Sequence, residues 1–479
     1  DYGAVEVGKR GTLSYGTSAS TNYYLKTSGI LEVWGDGTFN IGTAGTPIPS
    51  TSTAVLEFDS SANVEFGMVV EAGGTFTAQG ASKATVNTLL NTDEAATSTV
   101  IGVASTSGWA ASDELAFAST TRTASECEKK TILTVDSGTQ VTLTAGLTNA
   151  HSGTSPTQAE VVNLTRNVKI RGVSASLQGY INFLTTSTVD CDYVEFTQLG
   201  SATSNKRGID CTTTTGSCSL QYCSLHDSTV ASSMGFNFAA NNTNNVTFSN
   251  NVTYNIANSH FSFPNPTTNT WTADSNVFIR STDSGSTIVN LNDIGGTFTN
   301  NTMVGAAGSG ITIGENAALG TFSGNTMHSN NTTGWTTTLA PLSGTISSTT
   351  VWRNNSLGMS ILGSELTFST LTLFGNNLGS INFGAFAGRY VFNDLTSNGD
   401  STFSTADGFR FTANGGSGEI YVYNGNFGTV SGIKTAHTND INFVTTEFVR
   451  MVLHNTILAS GTEVASQTNM TPNAFIGSQ

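Results

Sequence analysis

The second half of the chain repeats a short pattern about every two dozen residues, and this period restricts the possible folds more than any other feature. In each repeat a β-prone run of Thr, Phe or Ile precedes Asn, Gly or Ser, and a second apolar run follows. Successive repeats begin 25, 25, 24, 24, 22 and 24 residues apart. The starting residues are Val246, Trp271, Gly296, Gly320, Gly344, Leu366 and Tyr390.

A period of this length corresponds to one coil of a β-helix, in which turns separate three short strands. Leucine-rich repeats are of similar length but require a Leu spacing that is absent here, and ankyrin and tetratricopeptide repeats need helices. The abundant Ser, Thr, Asn and Gly are poor helix formers. The sequence therefore predicts an all-β protein whose main part is a right-handed parallel β-helix.

Stacked coils place equivalent residues in columns, because equivalent strands of successive coils pair about 4.8 Å apart. One predicted interior column is apolar and contains Phe248, Phe298, Phe322, Ile346 and Phe368. A second predicted column is an asparagine ladder, in which side-chain amides bond between coils at a tight turn. Its members are Asn251, Asn276, Asn301 and Asn325.

The position of the repeat predicts three segments. Residues 1–164 should form an N-terminal β domain punctuated by glycines, which supply positive φ at bends and bulges. Residues 165–464 should form the parallel β-helix. Residues 465–479 are polar and should form a tail or a cap.

The order of motifs over residues 10–175 resembles the eight-glycine domain of the fibrocystin/polyductin and cell-surface hyaluronidase group. The matching motifs are Gly11-Thr-Leu, Gly35-Asp-Gly37-Thr-Phe-Asn-Ile-Gly42, Pro47, Gly73-Gly74-Thr-Phe, Gly108-Trp109, Ser112-Asp113-Glu114-Leu115, His151-Ser-Gly153, Ala159-Glu160-Val161 and Leu164-Thr-Arg166-Asn167-Val-Lys-Ile-Arg-Gly172. Ser112 departs from the glycine usual in that group. The resemblance implies a first domain that covers the N-terminal end of the β-helix. It also implies a structural junction at His151, Glu160, Arg166 and Asn167.

Charge is unusually low, at 11% of residues against about 25% in typical domains. The net charge of −15 argues against nucleic-acid binding, which needs a basic surface. No apolar run reaches the roughly 18 residues of a membrane span. The chain begins at Asp1 without Met, which suggests a removed leader or a piece of a longer protein. We expect an extracellular or cell-surface location.

Four of the five cysteines fall within 33 positions, which favours disulfides in an oxidising compartment. Sequence cannot choose among the three possible pairings, and buried free thiols are the alternative. The candidates are Cys191, Cys211, Cys218 and Cys223.

Asn-x-Ser/Thr sequons are numerous and compatible with a secreted glycoprotein. Sequons at Asn251 and Asn300 should stay unmodified because they lie at or beside the ladder. The candidate glycosylation sites are Asn163, Asn241, Asn245, Asn330, Asn331, Asn354 and Asn469.

The best acidic cluster is Asp190, Asp192 and Glu195, a candidate Ca²⁺ site whose alternative is a solvated strand face. His226 and Asp227 resemble a base with its partner, but neighbouring side chains on a strand point to opposite faces. No catalytic residue is predicted.

These features favour an extracellular structural or adhesive glycoprotein that associates with itself into a fibre, layer or appendage. The alternatives are a glycan-depolymerising β-helix enzyme, either a hydrolase or a lyase, and a glycan-binding ectodomain. An anionic polysaccharide would require a basic cleft, whereas this protein is acidic.

Overall fold

The computed structural model describes most of the chain, in two compact units. The described residues are 2–211, 216–238, 245–263, 271–292, 295–314, 320–337, 343–362, 365–385, 388–400, 402–403, 407–412, 417–427, 434–435, 439–443, 448–458, 464–466 and 475–478. Unit 1 comprises residues 1–120 and 125–289, and unit 2 comprises residues 121–124 and 290–479.

Unit 1 is a parallel β-helix whose coils each contribute one strand to three rows. Row 1 contains Val5–Val7, Leu31–Val33, Met68–Val70, Ile181–Phe183, Ile209–Cys211, Phe236–Phe238 and Phe261–Phe263. Row 2 contains Thr12–Ser14, Thr38–Ile41, Thr75–Gln79, Thr188–Asp192, Ser217–Gln221, Asn245–Ser249 and Trp271–Asp274. Row 3 contains Tyr23–Thr27, Ala54–Phe58, Val168–Gly172, Val194–Thr197, Ser224–Ser228, Val252–Ile256 and Val277–Ser281.

Unit 2 repeats this arrangement and includes longer strands that run through rows 2 and 3. Its row 1 contains Ile311–Ile313, Trp335–Thr337, Leu357–Leu362, Gly379–Ala385, Asp407–Phe411, Asn439–Phe443 and Val464–Ser466. The other strands are Thr297–Thr299, Thr302–Val304, Thr321–Ser323, Thr326–His328, Ser343–Trp352, Glu365–Phe374, Arg389–Asp400, Ser417–Tyr423, Lys434–Thr435, Phe448–His454 and Phe475–Ser478. The strand Val289–Leu291 contains the division between the units.

Parallel pairing in constant register confirms the predicted parallel β-helix. Phe298 pairs with Phe322, and Phe322 pairs with Ile346 on the next coil. The rings of Phe298 and Phe322 stack with centroids 5.4 Å apart. A parallel crossover of this kind is right-handed in nearly all proteins. Equivalent apolar side chains therefore fill one continuous interior column within the unit.

Asparagines occupy the tight turn between rows 2 and 3. Asn276 Oδ1 accepts hydrogen bonds from the backbone N–H and the Nδ2 of Asn251, at 2.9 and 3.1 Å. Asn325 does the same for Asn301, at 3.0 and 3.2 Å. All four side chains are fully buried. Each amide thus satisfies the backbone of one coil and links it to the next.

A second asparagine ladder, which sequence analysis missed, follows row 3 in unit 2. It runs through Asn330, Asn354 and Asn376, and all three are fully buried. Asn354 Oδ1 accepts from Asn330 Nδ2 at 2.9 Å, and Asn376 Oδ1 accepts from Asn354 Nδ2 at 2.9 Å. Two of the three turns of the coil are therefore tied by side-chain amides.

An antiparallel sheet is inserted into the third coil, between the row 2 strand Thr75–Gln79 and the row 3 strand Val168–Gly172. Its core includes Leu90, Trp109 and Phe117. The strands are Asn87–Leu89, Val100–Gly102, Glu114–Phe117, Glu128–Ser137, Gln140–Leu143 and Glu160–Asn163, with a 3₁₀ turn at Ala124–Glu126.

The strand pairing begins the β-helix before the predicted boundary at residue 164. Leu31 of row 1 pairs with Met68, which pairs with Ile181, so the β-helix already includes the first strands. The early coils vary in length and one carries the inserted sheet, which hides the period. Within the predicted tail, Phe475–Ser478 forms a further strand beside Phe448–His454. The described residues contain no helix long and apolar enough to cross a membrane.

The second ladder yields a stability prediction. Replacing Asn354 by Ala removes the acceptor of the buried backbone N–H and Nδ2 of Asn330, and it removes one of the two donors to Asn376 Oδ1. A buried polar group left without a partner costs about 1–3 kcal/mol. We expect Asn354→Ala to lower the free energy of unfolding by about 3 kcal/mol in urea denaturation. The exposed neighbour Asn355 is the matched control, and Asn355→Ala should cost less than about 0.5 kcal/mol. Equal effects of the two substitutions would contradict a structural role for the ladder.

Candidate functional site

The middle residue of each row 1 strand points away from the interior, because its two neighbours point inward. In unit 1 these residues pair in register from coil to coil and form a column, which we call the row 1 track. Its members are Glu32, Val69, Asn182, Asp210, Asn237 and Ser262. This column is polar except at Val69. The equivalent column of unit 2 is polar and contains Thr312, Thr336, Ser360, Asn382, Arg410 and Asn442.

The central residues of the track, Asn182, Asp210 and Asn237, are buried and polar, and we call them the polar floor. Asn237 Nδ2 donates to Asp210 Oδ1 at 2.6 Å, and the backbone N–H of Arg207 donates to Oδ2 at 2.8 Å. Burial raises the pKa of Asp210. The adjacent Asn182 Oδ1 is buried and accepts no hydrogen bond from the described residues. The floor is therefore rich in acceptors, and one of them is unused.

The end of the track at Glu32 combines an aromatic ring with carboxylates. Trp34 follows the strand Leu31–Val33 and is 41% exposed. Glu71 follows the strand Met68–Val70, one coil away from Glu32. Partial burial and the negative charge of Glu32 raise the pKa of Glu71. Sequence analysis did not select Glu32, Glu71 or Asp210, because only strand pairing assigns them to one face.

A second constellation lies where the inserted sheet meets row 3 of unit 1. His226 Nδ1 contacts Asp227 Oδ2 at 3.0 Å, and His226 Nε2 lies 3.6 Å from Glu195 Oε1. Lys129 of the inserted sheet reaches Asp227 at 2.7 Å and Glu114 at 3.1 Å. The five side chains form an alternating network of charges that links the sheet to the solenoid.

By residue type, Glu114, His226 and Asp227 could hold a metal ion, since their ligand atoms lie within 4.8 Å of one another. The ammonium group of Lys129 already contacts both carboxylates, however. Burial opposes its charge, but Asp227 and Glu114 raise its pKa, so the ammonium stays protonated. A built-in cation thus satisfies the carboxylates, and the network serves as a structural ion-pair junction.

The predicted Ca²⁺ cluster is divided in the structure. Asp190 and Asp192 lie on a row 2 strand, and burial together with the charge of Asp190 raises the pKa of Asp192 to about 6. Glu195 lies beyond the turn on row 3, where it accepts from the backbone N–H of Arg166 at 2.8 Å and from Lys169 at 3.1 Å. The three carboxylates do not converge on one point.

The predicted disulfides are absent, since all five cysteines are buried free thiols. Cys211 and Cys218 approach most clearly, with a sulfur–sulfur distance of 3.6 Å that indicates contact without a bond. Burial raises the pKa of the Cys191 and Cys211 thiols well above the usual value, so they stay protonated. The cysteines lie close in sequence because strands of neighbouring coils contribute side chains to the same part of the interior.

Three predicted glycosylation sites are incompatible with the fold, because Asn163, Asn330 and Asn354 are fully buried. Asn163 Nδ2 donates to Asp113 Oδ2 at 2.8 Å, and the other two belong to the second ladder. The remaining candidates Asn245 and Asn331 are exposed, while Asn241 and Asn469 lie outside the described residues.

Comparisons with known proteins find only distant structural similarity. No family model matches the chain, and no curated protein matches it. A mutant of a periplasmic alginate epimerase is 9% identical with a TM-score of 0.46, covering 86% of this chain and 85% of that chain. A tailspike of Acinetobacter baumannii bacteriophage AP22, solved with capsular saccharide, is 10% identical with a TM-score of 0.29, covering 96% and 73%. The catalytic domain of a GH87 α-1,3-glucanase, solved with nigerose, is 12% identical with a TM-score of 0.32, covering 82% and 90%.

The junction network predicts a dependence of stability on pH. Burial opposes protonation of His226, but its hydrogen bond to Asp227 and the charge of Glu195 outweigh this and raise its pKa to about 9. The unfolded value is about 6.5, so the stabilisation is complete below that pH and is lost as pH rises through about 9. We expect His226→Asn to remove this dependence, which amounts to about 3 kcal/mol in urea denaturation.

The exposed histidine His454 is the control for this measurement. His454→Asn should keep the loss of stability between pH about 6.5 and about 9. An unchanged pH profile in His226→Asn would contradict a charged His226 in the folded protein.

The burial of the sequons gives a separate prediction. In folded protein secreted by a eukaryotic host, we expect glycan on peptides that contain Asn245 or Asn331. Asn163, Asn330 and Asn354 should be unmodified, because a glycan requires an exposed amide. On the peptide that contains the adjacent Asn330 and Asn331, the glycan should therefore be on Asn331. Glycopeptide mass spectrometry makes this comparison, and occupancy at Asn354 in folded material would contradict the structure.

Proposed function

We propose that the protein binds an extended glycan along the row 1 track. The observation that carries this proposal is an exposed aromatic residue, Trp34, at one end of a column whose polar members Asn182, Asp210 and Asn237 follow one another on successive coils beyond Val69. Binding sites combine apolar or aromatic surface with a few fixed polar groups. Asparagine supplies both donors and acceptors, and carboxylates supply acceptors, which suits a ligand with many hydroxyl groups.

The charge of this face restricts the ligand. Glu32, Glu71 and Asp210 all lie on or beside the track, and the whole chain carries a net charge of −15. A negative surface repels polyanions and lowers their local concentration. A neutral glycan is therefore the substrate class that the track favours.

Hydrolysis of the glycan is the second candidate function. Most glycoside hydrolases use two carboxyl groups, one of which keeps its proton because its pKa is raised. Glu71 has a raised pKa and lies one coil away from Glu32. If the pair acts in this way, Glu71→Gln should abolish release of shorter products from a bound glycan while retaining binding.

Self-association into a fibre or layer is the competing structural role. Unit 2 offers rows of small hydroxyl side chains that pair in register on adjacent coils, such as Thr297 with Thr321 and Thr367 with Thr345. The net charge of −15 on each copy opposes such association, so contacts between copies would have to come from uncharged rows of this kind. Light scattering across a concentration series separates this role from glycan binding by a monomer.

The glycan-binding proposal predicts that Trp34→Ala weakens retention on a neutral polysaccharide by about tenfold, since stacking and burial of an aromatic ring contribute about 1.4 kcal/mol. Affinity electrophoresis in gels that contain β-glucan, mannan or xylan measures the effect. Tyr24 is the matched control, because it is exposed but lies on row 3. Tyr24→Ala should migrate like the unmodified protein.

Two results would contradict the proposal. One is the absence of retardation by any polysaccharide in the panel. The other is equal retardation of the Trp34→Ala and unmodified proteins by the polysaccharide that binds.

A further inference from the structure

A cleft of about 550 Å³ lies beside the junction between the inserted sheet and the third coil of unit 1. Its volume falls within the range of small-molecule sites. It is separate from the row 1 track, because its solenoid wall comes from row 3 and the adjoining turn. Its hydroxyl-bearing residues are Ser50, Thr53, Ser82, Ser112 and Thr165.

The cleft is basic although the protein is acidic. Lys83, Arg166 and Lys169 line it, and Asp113 is the one acidic residue among its described lining residues. Lys83 contacts Asp113 at 2.6 Å, and Lys169 contacts Glu195 at 3.1 Å. These two ammonium groups thus have carboxylate partners. The guanidinium of Arg166, in contrast, donates hydrogen bonds to backbone carbonyls.

Arg166 is 2% exposed, and the guanidinium atoms that form hydrogen bonds donate only to neutral acceptors. Nε donates to the carbonyl of Tyr222 at 2.9 Å, and Nη1 donates to the carbonyls of Asn163 and Thr165 at 2.8 and 2.9 Å. Nη2 has no acceptor among the described residues. Burial lowers the pKa of Arg166, while Glu195 and Asp113 lie near enough to raise it, but neither carboxylate accepts a hydrogen bond from Nη2. This unused donor favours an anion in the cleft, since a buried polar group without a partner is costly.

The walls of the cleft are held in place independently of any ligand. Asn167 Nδ2 donates to three carbonyls of the segment 48–52, at 2.9 to 3.1 Å, and Asn167 Oδ1 accepts from the backbone N–H of Ala81 at 2.8 Å. Asp113 accepts from the backbone N–H of Ala110 at 3.0 Å. The cleft is therefore preformed, which reduces the ordering cost of binding.

We propose that this cleft binds a compact oxyanion, a carboxylate or a sulfate group, carried by a ligand with several hydroxyl groups. Arg166 supplies the positive charge that the two lysine–carboxylate pairs leave uncompensated, and the serine and threonine hydroxyls supply hydrogen bonds to the rest of the ligand. This assignment does not rest on glycan binding by the row 1 track.

Isothermal titration calorimetry of the full chain tests the proposal with three probes: galacturonate, inorganic sulfate and galactose. Galacturonate and galactose differ by one carboxylate, so we expect heat of binding from galacturonate and none from galactose. Sulfate tests the oxyanion alone. Binding of galacturonate tighter than that of sulfate assigns the site to an acidic sugar, and the reverse order assigns it to a free anion.

Substitution of the exposed rim residue Ser82 locates the site without disturbing the buried ion pairs. We expect Ser82→Asp to weaken galacturonate binding about fivefold, the factor that two like charges about 4 Å apart produce in water. Ser82→Asn introduces a neutral side chain of the same size as Asp, so this variant should bind galacturonate as the unmodified protein does. Trp34→Ala should also bind galacturonate normally, so the two proposals fail independently.

Three results would overturn the assignment. They are the absence of heat from both anions, equal binding of galactose and galacturonate, and binding of galacturonate by Ser82→Asp that equals binding by Ser82→Asn.

Discussion

Parallel pairing in constant register is the constraint on which the rest of the structure depends. A slip of one residue would exchange the inward and outward faces of a strand, because side chains alternate. The buried amides of Asn251 and Asn276, and of Asn301 and Asn325, hold that register at the turn. Each coil then places its residues directly over the equivalent residues of the previous coil, so a residue type that recurs at one position forms a column. The interior rings and the polar track both follow from this geometry.

Sequence was sufficient for the fold where coil lengths are nearly equal. The repeat from Val246 onwards predicts the column that contains Phe298 and Phe322, and their rings stack as expected. The first coils escaped detection because loop length adds little free energy, so loops can lengthen without changing the strands. Thr12 pairs with Thr38 and Thr38 with Thr75, at unequal separations. The inserted sheet then hides the third coil altogether.

The sites could not be predicted because their residues are far apart in sequence or break a local rule. Lys129 and Asp227 are 98 residues apart and meet at 2.7 Å. His226 and Asp227 were expected on opposite faces of a strand, yet their side chains bond. Asp227 has a φ of 58°, which interrupts the alternation and turns its carboxylate towards the imidazole. No periodic pattern in the sequence indicates that a residue within a strand has a positive φ.

The central claim is that one outward position, repeated on successive coils, lines the binding site of a linear ligand above the buried polar side chains Asn182, Asp210 and Asn237. An experimental structure of the protein with a bound oligosaccharide tests it most directly. The account predicts ligand density that begins at Trp34 and runs across the row 1 strands, from the coil of Glu32 towards that of Asn237. Density confined to rows 2 or 3, with an empty row 1 face, would contradict it.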